Sequence, residues 1–236
     1  MPVLFNREEV PSSISILIFC VGESLQSLEG RYSSADFDAA VRTVLSSGIK
    51  PYTGRKQDPA GRSVLIGEGR PALETAEQLL IPCPYSIDPL LNEIPLRSCT
   101  ETDKRYSADT WQRKAAAQRK QGNPRQPESR EAVIERAEAV IQLLKDRDSL
   151  LITYPLFLSE LLDRLRIHNY VIQRTGLMRI QPLERFIVSR KDEHCGGCQH
   201  NCFLSNPGCG IGRDKAMRMS RKKKNTMLDE NYEKLS

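Results

Sequence analysis

Long apolar runs are missing from this sequence: none approaches the roughly 20 residues that a membrane-spanning helix needs. The amino end, MPVLFNREEV, has acidic residues where a secretory leader would be basic and then apolar, so a cytoplasmic location without membrane contact is expected. A strong charge of either sign is missing too. A net charge of +5 on 236 residues is the ordinary surface of a soluble protein and identifies no partner. Histidine is scarce: His168, His194 and His200 are the only three, and none ends a strand-like run. Chemistry that needs imidazoles at strand tips therefore has nowhere to sit.

What is present is organised around residues 14–24, ISILIFCVGES. A short, β-branched apolar run closed by glycine reads as a strand buried on both faces, and open α/β sheets bind ligands at the carboxyl ends of such strands. The tip residues Cys20, Val21, Gly22, Glu23 and Ser24 are the first candidates for a site. Ser34-Ala35-Asp36 then introduces Phe37, Ala40, Val41, Val44 and Leu45 at helical spacing. Residues 63–67, SVLIG, repeat the pattern as a second buried strand, followed by a helix through Ala72, Ala76, Leu79 and Leu80. Strand-helix alternation implies parallel pairing. Prolines between Pro82 and Pro89 break regular structure. Residues 98–128 read as a surface insertion carrying one helix, 108–120, and a mobile loop at 121–127. Its basic run from Arg113 to Arg125 reads as a solvated face in preference to a nucleic-acid contact, and it could equally cover an anionic ligand.

Residues 128–144 form the best helix, with Val133, Ala137, Val140, Ile141 and Leu144 on one face. A third buried strand at 150–153 turns at Tyr154-Pro155 into a leucine-rich helix that proline can start because its missing N–H costs nothing there. Residues 185–189 supply one more strand, expected at an edge and antiparallel. The expected organisation is an α/β domain over 1–190, a cysteine-rich module over 191–212 and a basic, mobile tail over 213–236.

Four fragments now stand in order: ILIFCVGES, EGRPALETAEQLL, DPLLNEI and LLITYPLFLSELL. Together, over roughly residues 14–190, they resemble the histidine phosphatase superfamily, the phosphoglycerate-mutase-like family. The resemblance implies a three-layer α/β/α sandwich with a mostly parallel sheet. It also implies a phosphate pocket in which a histidine nucleophile follows an arginine at the first strand tip. A second arginine and a second histidine complete that pocket, and a carboxylate serves as acid.

Aligned residue by residue, the first arginine falls on Cys20 and the nucleophile on Val21, while Gly22 and Glu23 match. The second arginine falls on Pro71, with Arg70 beside it, and Ala72, Thr75 and Ala76 match. The second histidine and its glycine fall on Tyr154 and Pro155. Glu93 holds the carboxylate position, and Glu128 matches a Glu-Ser pair. Phosphoryl transfer needs a nucleophile aimed at phosphorus and several cations or N–H donors around it, and valine has no lone pair. The expectation is a pseudophosphatase acting as a binding or regulatory protein, with an unidentified protein or a phosphorylated ligand as partner. The alternative is a phosphatase or phosphomutase working through Glu93, Arg70 and Tyr154. Cys20 does not replace the nucleophile by the cysteine-phosphatase pattern, which needs an arginine six residues on, where Gln26 stands. A buried structural thiol is the favoured reading. Arg31 and Arg70 could retain a weak anion pocket with the helix start after Gly69.

The clearest chemical signal is HCGGCQHNCFLSNPGCGIG, residues 194–212. Cys195, Cys198, Cys202 and Cys209 match the ligand count of a structural zinc site or a four-iron cluster, with glycines for tight turns. In a reducing compartment such crowding suggests metal before disulfides. Zinc is favoured, with an iron-sulfur cluster, and hence a redox or sensor role, as the alternative because paired CxxC motifs are missing. His194 and His200 are alternative ligands or neighbours.

Overall fold

A computed structural model describes residues 15–145, 147–174, 179–190, 213–215 and 217–218. The β-branched run forms strand β1, Ser15–Cys20, with Ile16 and Ile18 fully buried. A two-residue strand β2, Arg31–Tyr32, leads into helix α1, Ser34–Ser46, which Ser33 caps by accepting from the Asp36 N–H. Strand β3, Ser63–Ile66, is followed by helix α2, Arg70–Leu79. The proline-rich stretch expected to be irregular holds a two-residue strand β4, Ser86–Ile87, and one 3-10 turn, Pro89–Leu91. Strand β5, Tyr106–Ser107, precedes helix α3, Ala108–Lys120, and then comes helix α4, Arg130–Leu144. Strand β6, Ser149–Thr153, helix α5, Pro155–Ile167, strand β7, Tyr170–Arg174, and strand β8, Arg185–Arg190, complete the domain.

The main sheet has six strands in the order β4-β3-β6-β1-β8-β7. The pairs β4/β3, β3/β6 and β6/β1 are parallel, while β8 runs antiparallel to β1. β8 takes the expected direction but not the expected place. It lies inside the sheet, because β7 covers it. The β7 sequence YVIQR alternates buried with exposed residues too weakly to announce a strand, and the turn into it is made by Asn169 in the left-handed region rather than by a glycine.

Connection handedness sets the layers. Right-handed crossovers from β1 to β3 and from β3 to β4 run one way across the sheet and place α1 and α2 on one face. The returns to β6 and then to β7 run the other way and place α4 and α5 on the opposite face. The result is a three-layer α/β/α architecture. β6, covered on both faces, has all five residues buried, and α4 buries Val133, Ala137, Val140, Ile141 and Leu144, as its spacing implies. Among the described residues no helix is long and apolar enough to cross a membrane.

Residues 98–128 are held down by their own apolar and polar contacts. Trp111 is fully buried, stacks on Phe37 with ring centroids 5.8 Å apart, and donates from Nε1 to the Tyr32 carbonyl at 2.9 Å. The loop read from the sequence as mobile is pinned by Gln126, which donates to the Arg97 carbonyl at 2.9 Å and accepts from the Arg97 N–H at 3.2 Å. Contact density divides the chain into residues 14–189 and a second unit formed by residues 1–13 and 190–236. In the second unit residues 213–215 and 217–218 are helical.

Candidate functional site

β1 and β6 are neighbours whose following helices leave to opposite faces. Their carboxyl ends therefore form the topological switch point, where a doubly wound sheet opens a crevice for ligands. Four of the six sequence-derived site residues, Cys20, Val21, Glu93 and Tyr154, gather there. Glu23 and Arg70 stand at the rim.

Cys20 is 2% exposed. Burial pushes its thiol far above the ordinary range, and the carboxylates of Glu93 and Glu184 add to this, so the sulfur stays protonated and non-nucleophilic. Val21, 7% exposed, is tied into the sheet: its N–H donates to the Thr153 carbonyl at 3.0 Å and its own carbonyl accepts from the Leu183 N–H at 3.3 Å. The next amide, Gly22, donates to Thr75 Oγ1 at 2.8 Å, and the threonine hydroxyl in turn donates to the Pro71 carbonyl at 2.6 Å. Glu23 points outward and pairs with Lys50 at 2.6 Å.

α2 begins after Gly69, whose φ of 94° is open to glycine at little cost. Tyr154 covers this helix start. Its hydroxyl donates to the Glu68 carbonyl at 2.5 Å, while the Ala72 N–H donates to the phenol oxygen and favours its ionised form. Burial, reinforced by Glu93 and Glu68, outweighs that donor and lifts the phenol to about 12. Arg70 is turned away: its Nε meets Glu74 Oε1 at 2.5 Å, and Glu74 Oε2 accepts from the Ile49 N–H at 2.8 Å. The Ile49 N–H, followed by Arg70, holds the Glu74 carboxyl below its usual range. Arg31 donates instead to the Arg105 carbonyl at 2.8 Å, so the two arginines have separate partners.

α5 is the second helix aimed at the crevice. Its amino-terminal N–H groups are an anion site by construction, and here the anion belongs to the chain. Glu93 accepts from the Phe157 N–H at 3.0 Å, the Leu156 N–H at 3.2 Å and its neighbour Ile94 N–H at 2.9 Å. Burial nevertheless dominates, and its pKa rises from 4.5 to about 7; the three donors and Arg136 oppose the rise.

Arg136 is the residue that sequence reasoning missed. It forms a two-pronged pair with Glu128 at 2.9 and 2.8 Å, donates from Nη1 to the Leu90 and Asn92 carbonyls at 3.0 and 2.7 Å, and lies 4.1 Å over the Phe157 ring. It thereby fixes the backbone that carries Glu93. The signal was available: Arg136 falls on the apolar stripe of α4 between Val133 and Val140, where a charge demands a buried partner.

The crevice is thus self-satisfied. Its N–H donors already serve Thr75, Tyr154 and Glu93, and the residue that follows β1 at its tip is the buried Val21. Among the described residues no three His, Cys, Asp or Glu side chains gather as metal ligands. Cys195, Cys198, Cys202 and Cys209, with His194 and His200, lie outside the described residues.

No family model matches the chain, and no curated protein does. Solved structures to which it is similar include the product of open reading frame Rv3214 from Mycobacterium tuberculosis, at 19% identity and a TM-score of 0.43, covering 64% of this chain and 79% of that one. A mutant phosphoserine phosphatase from Entamoeba histolytica in complex with phosphoserine is 11% identical with a TM-score of 0.41, covering 65% and 80%. A protein described as mycobacterial hydrolase 2 is 16% identical with a TM-score of 0.39, covering 65% and 72%. At these scores the functional argument rests on the residues of the crevice alone.

Proposed function

We propose that this protein is a pseudophosphatase of the histidine phosphatase type, a cytoplasmic binding or regulatory protein built on a retired catalytic scaffold. The observation that carries this reading is the Glu93 carboxylate on the α5 N–H groups, opposite a buried Val21. An internal carboxylate occupies the donors a phosphoryl group would need, and no nitrogen stands where a nucleophile would attack. Loss of both imidazoles together with both arginines supports a change of role rather than drift within an active enzyme.

The alternative, a phosphatase with a non-standard site, draws on one observation: a carboxyl group titrating near 7 suits a general acid. It lacks a nucleophile, since the nearest candidates are a protonated thiol at Cys20 and a phenol at Tyr154 raised to about 12. The carboxy-terminal Cys195, Cys198, Cys202 and Cys209 are assigned to a structural metal site, with zinc preferred to an iron-sulfur cluster on the chemistry of four thiolates and glycine turns. Exposure of the full-length protein to a radiolabelled phosphomonoester, followed by acid and base quenching, tests the reading. No phosphorylated protein is expected, and a trapped acid-labile phosphoryl group on the chain would overturn it.

A further inference from the structure

Residues 88–94, DPLLNEI, run past the carboxyl ends of β3 and β6 as a strap tied to four elements. At β3 the Asp88 N–H donates to the Ile66 carbonyl at 2.8 Å, and Asn92 exchanges two bonds of 2.6 Å with Glu68, accepting from its N–H and donating to its carboxylate. At β6 the Thr153 hydroxyl donates to the Leu91 carbonyl at 2.7 Å. At α4 Arg136 donates to the Leu90 and Asn92 carbonyls. The tie to α5 is the Glu93 carboxylate on the Leu156 and Phe157 N–H groups. Leu91 and Ile94, each 1% exposed, form the buried underside of the strap.

These ties differ in chemistry. Amides, a hydroxyl and a guanidinium keep their state at neutral pH, whereas a carboxyl clasp can change its charge. The surroundings of Glu93 give that charge little support. It is felt by Cys20 at the end of β1, which also feels Glu184, and by Tyr154 before α5, which also feels Glu68 at the tip of β3. Glu184 is balanced by Arg174, and Glu68 is exposed. Among the described residues the cation acting on Glu93 is Arg136 of α4, and its fork is already committed to Glu128. An ionised Glu93 is therefore better served by water, while a protonated one has no charge to hydrate. Detaching the strap from α5 supplies that water.

We propose that residues 88–94 are a pH-sensitive strap, clasped onto α5 while Glu93 is protonated and released from it when Glu93 ionises, baring Leu91, Ile94 and the first N–H groups of α5. The sign follows from linkage. A released carboxyl titrates near its ordinary 4.5 and the clasped one near 7, so the preference for the clasped state is complete below 4.5 and is lost as pH rises through 7. The strap goes beyond the pseudophosphatase reading, since it serves an enzyme and a binding protein alike. The test is native-state hydrogen exchange of the full-length protein at pH 5 and pH 8, read amide by amide by NMR and corrected for the intrinsic pH dependence of exchange. At pH 8 the Leu91, Asn92, Ile94, Leu156 and Phe157 amides should exchange ahead of Val140 and Ile141 in α4, at rates insensitive to dilute urea, because a local opening exposes little surface. Their protection should fall roughly ten- to hundredfold from pH 5 to pH 8, and that fall should disappear in Glu93→Gln. Exchange of the strap together with α4 would overturn the proposal in the parent protein alone, because the strap then opens only when the domain unfolds. Protection that ignores pH, or an equal fall in Glu93→Gln, would overturn it as well. Phosphatase turnover does not enter these measurements, so the strap and the non-catalytic reading stand or fall separately.

Discussion

Glu93→Gln should make the protein more resistant to alkaline pH than to acid. In the folded state burial raises the Glu93 pKa from 4.5 to about 7, so the fold prefers the protonated form. The stability this contributes is complete below pH 4.5 and lost as pH rises through about 7, because the unfolded chain releases its proton first. At about 1.36 kcal/mol per pH unit, that interval corresponds to about 3 kcal/mol; partial solvent contact of the carboxylate reduces it to about 2 kcal/mol. Glutamine keeps an acceptor oxygen for the Phe157 N–H and has no charge to desolvate. The difference in melting temperature between Glu93→Gln and the parent should therefore grow by about 4–8 °C between pH 5 and pH 8, at about 2–4 °C per kcal/mol for a domain of this size. Titrations elsewhere in the molecule cancel in that difference. Paired thermal melts at the two pH values are the assay, and an equal offset at both would refute the argument that burial governs Glu93.

Arg136→Ala strands a half-buried Glu128 and two backbone carbonyls, so urea denaturation should show a loss of about 3–5 kcal/mol; a loss under about 1 kcal/mol would remove Arg136 from the account of how Glu93 is held. Trp111, the sole tryptophan, should emit at short wavelength and resist quenching by iodide, since it is fully buried against Phe37 and Tyr106; red-shifted, readily quenched emission would return residues 98–128 to solvent. Elemental analysis of protein purified without oxygen or chelator should give about one equivalent of zinc, absent from the Cys198→Ser/Cys209→Ser double variant. Iron and sulfide with a visible absorbance would assign a cluster instead, and neither metal would end the metal-module proposal.

Strands β1, β3 and β6 and helices α1, α2, α4 and α5 were legible because each has an apolar pattern bounded by a cap, a glycine or a proline, whereas α3 was legible as a helix but its burial through Trp111 was not. β7 was not, because an edge strand buries only Tyr170 fully and its turn at Asn169 carries no glycine. β4 was hidden among prolines, since two residues cannot establish a period. Cys20, Val21 and Tyr154 could be placed by their positions at strand tips, and Glu93 only by the family resemblance. The internal closure of the crevice was not legible, because Glu93 meets Leu156 and Phe157 across more than sixty residues, and no local pattern encodes that contact. Tyr154 could be placed at the tip of the third strand from sequence, but its role on the start of α2 depends on how β6 and β3 sit in the sheet.

The most direct test of the central claim is hydrolysis of p-nitrophenyl phosphate by the full-length protein from pH 5 to pH 8, beside Glu93→Gln and Arg70→Ala. The account predicts no turnover above the buffer rate for any of the three, at any pH. Turnover by the parent that follows the ionisation of a group near pH 7 and disappears in Glu93→Gln would show that the crevice still performs chemistry.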